Sequence, residues 1–288
     1  GITLGSLIFI NARNEPVPPQ HWPSPRPFDP CDPKQPANSV LVISSFLTNQ
    51  GVLRQASAGT LSEVVIERNR IEQMGMNGIG VAGFFDLRGA DEFISIDQLS
   101  ILGNTIQGCL RRPLAEIPAA MLNSVGYGGI ALADVEHLVI RDNSIIDNGP
   151  SDREPICGIF ALHAEGMELS RNRILNNGAK ADADPSNDLN RSTLKQGRRG
   201  GINIVYALAP VTPLRIGSQQ FPAQNGEPAL QVHDNIVSAP LGQALSVIAL
   251  GPLSVVGNQF TSCGVVQLGP TATALAATVA IEIGRAHV

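Results

Sequence analysis

One eight-residue string, apolar-x-apolar-x-x-Asn-x-apolar, recurs six times along this chain. Its copies centre on six asparagines: Asn69, Asn104, Asn143, Asn172, Asn235 and Asn258. All 18 apolar slots of the six copies hold apolar residues, whereas apolar residues make up only 43% of the sequence. Such recurrence indicates a repeat architecture rather than an irregular globular domain.

Within each copy, a mostly polar position separates the first two apolar slots. This position is filled by Val65, Ser100, Val139, Glu168, Gln231 and Ser254. The alternation is typical of a strand with one buried face. The shortest Asn-to-Asn interval, from 235 to 258, is 23 residues, which is too short for a strand-helix-strand unit. We therefore predict an all-β, parallel β-helix (β-solenoid) with about 23 residues per minimal coil and loop insertions at its bends.

The coils should stack six aliphatic residues in one internal file. These are Ile66, Ile101, Ile140, Leu169, Val232 and Val255. The six asparagines of the repeat are predicted to be structural, for two physical reasons. Asn tolerates the left-handed backbone conformation that a sharp bend needs. Stacked Asn side chains, about 4.8 Å apart, can also form a ladder of amide hydrogen bonds.

Two stretches carry a resemblance to a known group of proteins. Residues 139–145 followed by Gly158-Ile159, and residues 230–237 followed by Gly242, resemble the repeat of right-handed parallel β-helix proteins of the pectate-lyase-like superfamily. The resemblance covers about residues 38–268 and implies a right-handed coil. It leaves function open, because polysaccharide lyases and hydrolases, esterases, epimerases, phage tailspikes and non-catalytic surface proteins share this fold.

The chain divides into three parts. Residues 1–37 are predicted to form a partial first coil plus a loop, since residues 15–36 hold nine of the 21 prolines. Residues 38–282 are predicted to form the β-helix domain. Residues 283–288 resemble one reading frame of a sequencing adapter, so we interpret the chain as a bacterial metagenomic fragment of a longer gene. Flanking domains of that protein are expected partners, and an extracellular or cell-surface location is favoured.

Charge and hydropathy exclude two classes of partner. The net charge of −5 argues against nucleic-acid binding, which favours a basic surface. No apolar run approaches 18 residues, so no membrane-spanning segment is predicted.

Three consecutive coils carry extra residues after the repeat Asn, at residues 107–127, 147–157 and 176–200. These loops should stack on one side of the solenoid and wall a groove. The arginines predicted to bind a ligand there are Arg111, Arg112, Arg153, Arg198 and Arg199. The candidate catalytic carboxylates are Asp152, Asp182 and Asp184.

Calcium is the one metal that the sequence suggests. Asp182, Asp184 and Asp188 lie within seven residues and could supply oxygen ligands. The stretch lacks the turn Gly and the distal Glu of an EF-hand loop. The histidines His137, His163 and His233 occupy different frames of the repeat and are not expected to converge on one site.

Three functions fit these patterns. The favoured one is a non-catalytic β-helix module of a larger surface, secreted or tailspike-like protein that binds a polysaccharide or a protein through its loop-lined side. The first alternative is a polysaccharide lyase or hydrolase of the pectate-lyase-like group, and the second is a purely structural spacer or assembly domain. An enzyme needs titratable groups that converge on one cleft, whereas a spacer does not.

Overall fold

The computed structural model describes residues 1–5, 7–13, 15–18, 45–48, 51–57, 60–81, 95–112, 126–149, 156–178, 200–210, 227–239, 242–262, 265–267, 273–275 and 279–283. Within these ranges the chain is all-β and contains no helix. Long parallel sheets curl strongly into a solenoid-like architecture. The predicted all-β class and parallel strand arrangement are therefore confirmed.

Most of the strands are short, as expected for a chain that bends several times per coil, and the longest, Tyr127–Glu136 and Ile156–Glu165, have 10 residues each. In chain order they are β1 (Ile2–Leu4), β2 (Leu7–Ile10), β3 (Ser45–Thr48), β4 (Gly51–Ser57), β5 (Leu61–Glu67), β6 (Arg70–Glu72), β7 (Ile79–Val81), β8 (Ser95–Leu102), β9 (Thr105–Gln107), β10 (Tyr127–Glu136), β11 (Val139–Arg141), β12 (Ser144–Ile146), β13 (Ile156–Glu165), β14 (Met167–Ser170), β15 (Arg173–Leu175), β16 (Ile202–Leu208), β17 (Leu230–His233), β18 (Ile236–Ala239), β19 (Leu245–Leu250), β20 (Leu253–Val256), β21 (Gln259–Ser262), β22 (Val265–Gln267), β23 (Thr273–Leu275) and β24 (Val279–Ile283).

Two parallel sheets form the body of the molecule. The main sheet follows the order β20-β17-β14-β11-β8-β10-β13-β16-β19-β24, with β5 paired to β8 and β7 joining β1 to β10. The second sheet follows the order β21-β18-β15-β12-β9-β6. Strands that are adjacent in a sheet are thus separated in sequence by other strands, because each full coil adds two strands to the main sheet, such as β10 and β11, and one to the second sheet, such as β12.

The predicted internal file of aliphatic residues is confirmed. Ile66 pairs with Ile101, Ile101 with Ile140, Ile140 with Leu169, Leu169 with Val232, and Val232 with Val255. The first five are at most 5% exposed, and Val255 is half-buried. A second aliphatic file runs beside it through Ile79, Ile130, Ile159, Ile202, Leu245 and Val279. Both files belong to one continuous apolar core.

Some strands depart from the parallel pattern. β2, β4 and β3 form a three-stranded antiparallel sheet, and β22 pairs antiparallel with β23. The Asn repeat has no copy in these segments and does not predict them.

The bends show that one of the two reasons given for the repeat Asn is wrong. None of the six asparagines has a positive φ. The residue before each of them does, with φ between 53° and 68°: Arg68, Gly103, Asp142, Arg171, Asp234 and Gly257. The preceding residue makes the bend, and the Asn side chain is thereby free to point inward.

The second reason given for the repeat Asn is a ladder of amide hydrogen bonds between coils, and the side chains form this ladder. The backbone N–H and the Nδ2 of one Asn both donate to Oδ1 of the Asn in the next coil, at 2.8–3.0 Å. Nδ2 also donates to the carbonyl of an internal-file residue in the preceding coil, for example from Asn143 to Ile101 at 2.8 Å. The four inner asparagines are at most 1% exposed. The ladder thus satisfies polar groups that the core would otherwise leave unpaired.

A shorter ladder lies five residues further along three of the coils. Asn148 N–H and Nδ2 donate to Asn177 Oδ1 at 3.1 and 2.8 Å. Cys109 occupies the same position in the coil before, and its N–H donates to Asn148 Oδ1 at 2.9 Å. Its thiol contacts the Ile71 carbonyl at 3.7 Å, and burial raises the thiol pKa above its ordinary value. Cys109 therefore serves as a structural rung of this second ladder.

Candidate functional site

Two of the predicted ligand-binding residues lie in the described part of the chain. Arg111 is exposed, and its Nη1 donates to Gln73 Oε1 at 3.1 Å. Arg112 is only 8% exposed, and its backbone N–H donates to the Gly75 carbonyl at 3.1 Å. A buried guanidinium is poorly placed to hold a polymer in solvent.

The other predicted residues lie outside the described ranges. They are Arg153, Arg198, Arg199, Asp152, Asp182, Asp184 and Asp188. The loop-lined groove and the candidate calcium stretch therefore stay predictions.

The described residues place a different set of polar side chains together, on the main sheet where β8, β10, β13 and β16 run side by side. Ser95 pairs with Asp134, Asp134 with His163, and His163 with Tyr206. We call these four residues row one. The next residue in each strand is apolar and at most 1% exposed: Ile96, Val135, Ala164 and Ala207. The strands that carry row one are therefore fixed by packing against the core.

Row one combines hydrogen-bonding groups with an accessible aromatic ring. Ser95 Oγ donates to Asp134 Oδ2 at 2.7 Å. The rings of His163 and Tyr206 lie 5.4 Å apart with a tilt of 33°, within the range of favourable aromatic contacts. Tyr206 is 38% exposed. The stacking order argues against a Ser-His-Asp triad, because the carboxylate, and not the imidazole, contacts the serine hydroxyl.

A second row lies two residues further along the same strands. Asp97 pairs with Glu136, and Glu136 with Glu165. We call these three residues row two. His137 follows Glu136 at the bend, with φ 52°, and its Nδ1 lies 2.9 Å from Asp97 Oδ1. One ligand atom from each of Asp97, Glu136 and His137 lies within 4.8 Å of the others, which is compact enough to consider a metal ion.

A third polar cluster lies across β11, β14 and β17. Arg141 Nη2 donates to both carboxylate oxygens of Glu168, at 2.8 and 2.9 Å, and Ser170 Oγ donates to Oε1 at 2.8 Å. His233 Nε2 lies 3.4 Å from the same oxygen. Partial burial raises the pKa of Glu168, but the Ser170 hydrogen bond and the Arg141 guanidinium outweigh it, so the pKa lies below its ordinary value. Glu168 is therefore held as a carboxylate by its partners.

The neighbouring bend carries a bidentate ion pair. Arg171 donates to both oxygens of Asp142 at 2.7 Å. The hydrogen bond from Arg171 lowers the pKa of Asp142 and raises that of Arg171. Both side chains are about half exposed, so the pair is a surface feature rather than a buried charge site.

The three histidines of the solenoid wall have different surroundings, in agreement with their different repeat frames. His137 contacts Asp97, His163 contacts Tyr206, and His233 contacts Glu168. Sequence reasoning missed rows one and two because their members come from coils 39, 29 and 43 residues apart. The available signal is the common position of Asp134 and His163, each four residues after the Ile of a Gly-Ile pair, Gly129-Ile130 and Gly158-Ile159.

Comparisons with protein-family models, with curated proteins and with solved structures found no match to this chain. Within the described residues, no helix has the length and hydropathy needed to span a membrane.

Proposed function

We propose that this chain is a non-catalytic binding module that holds a polysaccharide along row one, with Tyr206 as the platform for a sugar ring. The observation that supports this most is the in-register placement of Ser95, Asp134 and His163 beside a partly exposed tyrosine. A hydroxyl, a carboxylate and an imidazole can hydrogen bond to sugar hydroxyls, while an aromatic face covers the apolar face of the ring.

The repeat of the solenoid favours a linear ligand. Paired residues of adjacent coils rise by about 4.8 Å, so the row offers polar groups at a regular spacing along one line. A polymer can contact several coils at once and gain affinity from many weak contacts. A compact metabolite would contact one or two of them.

We also infer the finer architecture and context from the sequence resemblance. Crossovers between parallel strands are right-handed in almost all proteins, which favours a right-handed coil of the pectate-lyase-like type. The offset between Leu230 and its partner Leu253 is 23 residues, and supports that number as the minimal coil. Membership of a larger surface, secreted or tailspike-like protein stays a prediction. Binding of a polysaccharide or a protein through the loop-lined side also stays a prediction.

The test is calorimetric titration of the whole chain with a panel of neutral and uronate polysaccharides, with and without calcium. We expect at least one to bind, and Tyr206→Ala to weaken that binding about 2- to 13-fold through the loss of about 0.5–1.5 kcal/mol of ring contact. Leu250→Ala is the matched control, because Leu250 is also 38% exposed and lies outside row one. Equal affinity of Tyr206→Ala and the wild type would contradict the proposal.

The same panel separates the alternatives. A lyase or hydrolase would shorten a polymer during the incubation, which size-exclusion chromatography of the polysaccharide detects. A spacer or assembly domain would bind none of the polymers.

A further inference from the structure

We propose that Asp97, Glu136 and His137 bind one divalent transition-metal ion, with Zn²⁺ as the best match to the donors. This inference concerns row two and its bend, and it does not depend on polysaccharide binding by row one.

The backbone sets the positions of all three donors. Asp97 and Glu136 are paired residues of β8 and β10, so their carboxylates project from adjacent strands. His137 adopts a left-handed conformation immediately after Glu136, and its N–H donates to the Glu165 carbonyl at 2.8 Å. The bend directs the imidazole toward Asp97, where Nδ1 and Oδ1 are 2.9 Å apart. Two strands and a hydrogen-bonded bend thus hold the donors, rather than a long loop.

The charges around the donors favour a cation. Carboxylates at paired positions of adjacent strands repel each other. In the part of the chain that the structure describes, no Lys or Arg forms an ion pair with Asp97 or Glu136, and the one basic partner of Asp97 is His137. In contrast, Glu168 and Asp142 each have an arginine partner. A dication between Asp97 and Glu136 would replace their repulsion by attraction to a shared centre.

The distances suit a small ion after modest side-chain rotation. The three ligand atoms lie within 4.8 Å of one another. Tetrahedral zinc with bonds of about 2.0–2.1 Å needs its donors about 3.4 Å apart. The required movement is about 1.4 Å or less, and the 54% exposed His137 side chain and the 32% exposed Asp97 side chain have room to make it.

The donor types select the metal. An imidazole with two carboxylates suits zinc and its neighbours, whereas calcium and magnesium prefer oxygen donors alone. Three protein ligands leave a fourth position for water or for an oxygen of a ligand. The site would therefore be open, unlike a closed structural zinc site.

The experiment is calorimetric titration of the metal-free whole chain with zinc chloride alone, repeated with calcium chloride. We expect about one zinc ion per chain at this site, zinc binding at least tenfold tighter than calcium, and a rise in the thermal unfolding midpoint when zinc is added. Asp97→Asn and His137→Ala should each weaken zinc binding at least tenfold. Both positions are partly exposed, so the variants should fold, and circular dichroism verifies this.

His233→Ala is the matched control, because His233 also lies beside two carboxylates, Glu168 and Asp234, but outside the proposed site. It should leave the zinc affinity and stoichiometry unchanged. Zinc binding that is absent, or equal in the wild type, Asp97→Asn and His137→Ala, would overturn the proposal. Calcium binding as tight as zinc would overturn the assignment of the metal. The zinc and calcium titrations do not test polysaccharide binding at Tyr206, so the two proposals can fail separately.

Discussion

The Asn ladder can be tested at Asn143, the rung in the middle of the solenoid. Its side chain donates from Nδ2 to Asn172 Oδ1 at 3.0 Å and to the Ile101 carbonyl at 2.8 Å. Its Oδ1 accepts from the N–H and the Nδ2 of Asn104, at 2.8 and 3.0 Å. Asn143→Ala removes all four of these bonds but keeps the bend, because Asp142 supplies the left-handed residue.

The cost follows from the groups that the substitution leaves buried. The Asn104 N–H loses its acceptor and the Ile101 carbonyl loses a donor, in a region where Asn104 is 1% and Ile101 is 0% exposed. An unsatisfied buried polar group costs about 1–3 kcal/mol. We therefore expect Asn143→Ala to lower the free energy of unfolding by about 2–6 kcal/mol.

Asn69→Ala is the matched control at the exposed first rung of the ladder. Asn69 donates to Asn104, but in the described structure its Oδ1 accepts no hydrogen bond. Asn69→Ala leaves no buried polar group without a partner, so we expect the free energy of unfolding to fall by less than about 1 kcal/mol. The assay is urea unfolding followed by far-ultraviolet circular dichroism. Equal losses in Asn143→Ala and Asn69→Ala would refute the argument that buried amide pairing stabilises the coils.

Three further predictions use the same unfolding assay. Ile140→Ala should cost about 2–4 kcal/mol, because Ile140 is 0% exposed and its neighbours in the file cannot close the cavity; a cost below about 1 kcal/mol would contradict this. Gly129→Ala should lower the free energy of unfolding by about 1–3 kcal/mol. The added Cβ would collide with the Ile145 side chain and lie 2.9 Å from the Gly158 carbonyl oxygen. Unchanged stability would show that the coil can shift to make room for it. Glu168 has a lowered pKa when folded, so its contribution is present above its unfolded pKa of about 4.3 and is lost as the pH falls through the folded value. Glu168→Gln should accordingly flatten the decline in stability as the pH falls below about 5, and an unchanged slope would argue against this assignment.

The repeat predicts much of the fold because each of its slots has one physical role. Apolar slots such as Ile101 and Ile140 can only be internal when strands alternate, and the constant frame brings them into register. The left-handed residue was missed because its identity varies between Arg171, Asp142 and Gly103, so no consensus marks it. The second ladder was missed because only two of its rungs, Asn148 and Asn177, are asparagine.

The candidate site was less predictable, because a strand's outward residues are constrained by neither packing nor bends. Insertion loops are recognisable in a sequence because they are long and charged, and this pattern favours their arginines and aspartates as site residues. Rows one and two instead consist of single polar residues in four strands, and their proximity exists only through register. One residue of slip between β8 and β10 would break the pairing of Asp97 with Glu136 and turn their side chains to opposite faces of the sheet.

Register therefore links the structural asparagines to the polar rows. The Asn104–Asn143 hydrogen bonds join the coil of β8 to the coil of β10 and β11, the same two coils that place Asp97 beside Glu136. The backbone pairing of Asp97 with Glu136 does not pass through the Asn143 side chain. Asn143→Ala molecules that remain folded should thus keep the position of row two while their folded fraction falls. Structural and binding residues can therefore be distinguished even in adjacent coils. Substitution of a structural residue lowers the free energy of unfolding, whereas substitution of a binding residue lowers the affinity of the folded chain for its ligand.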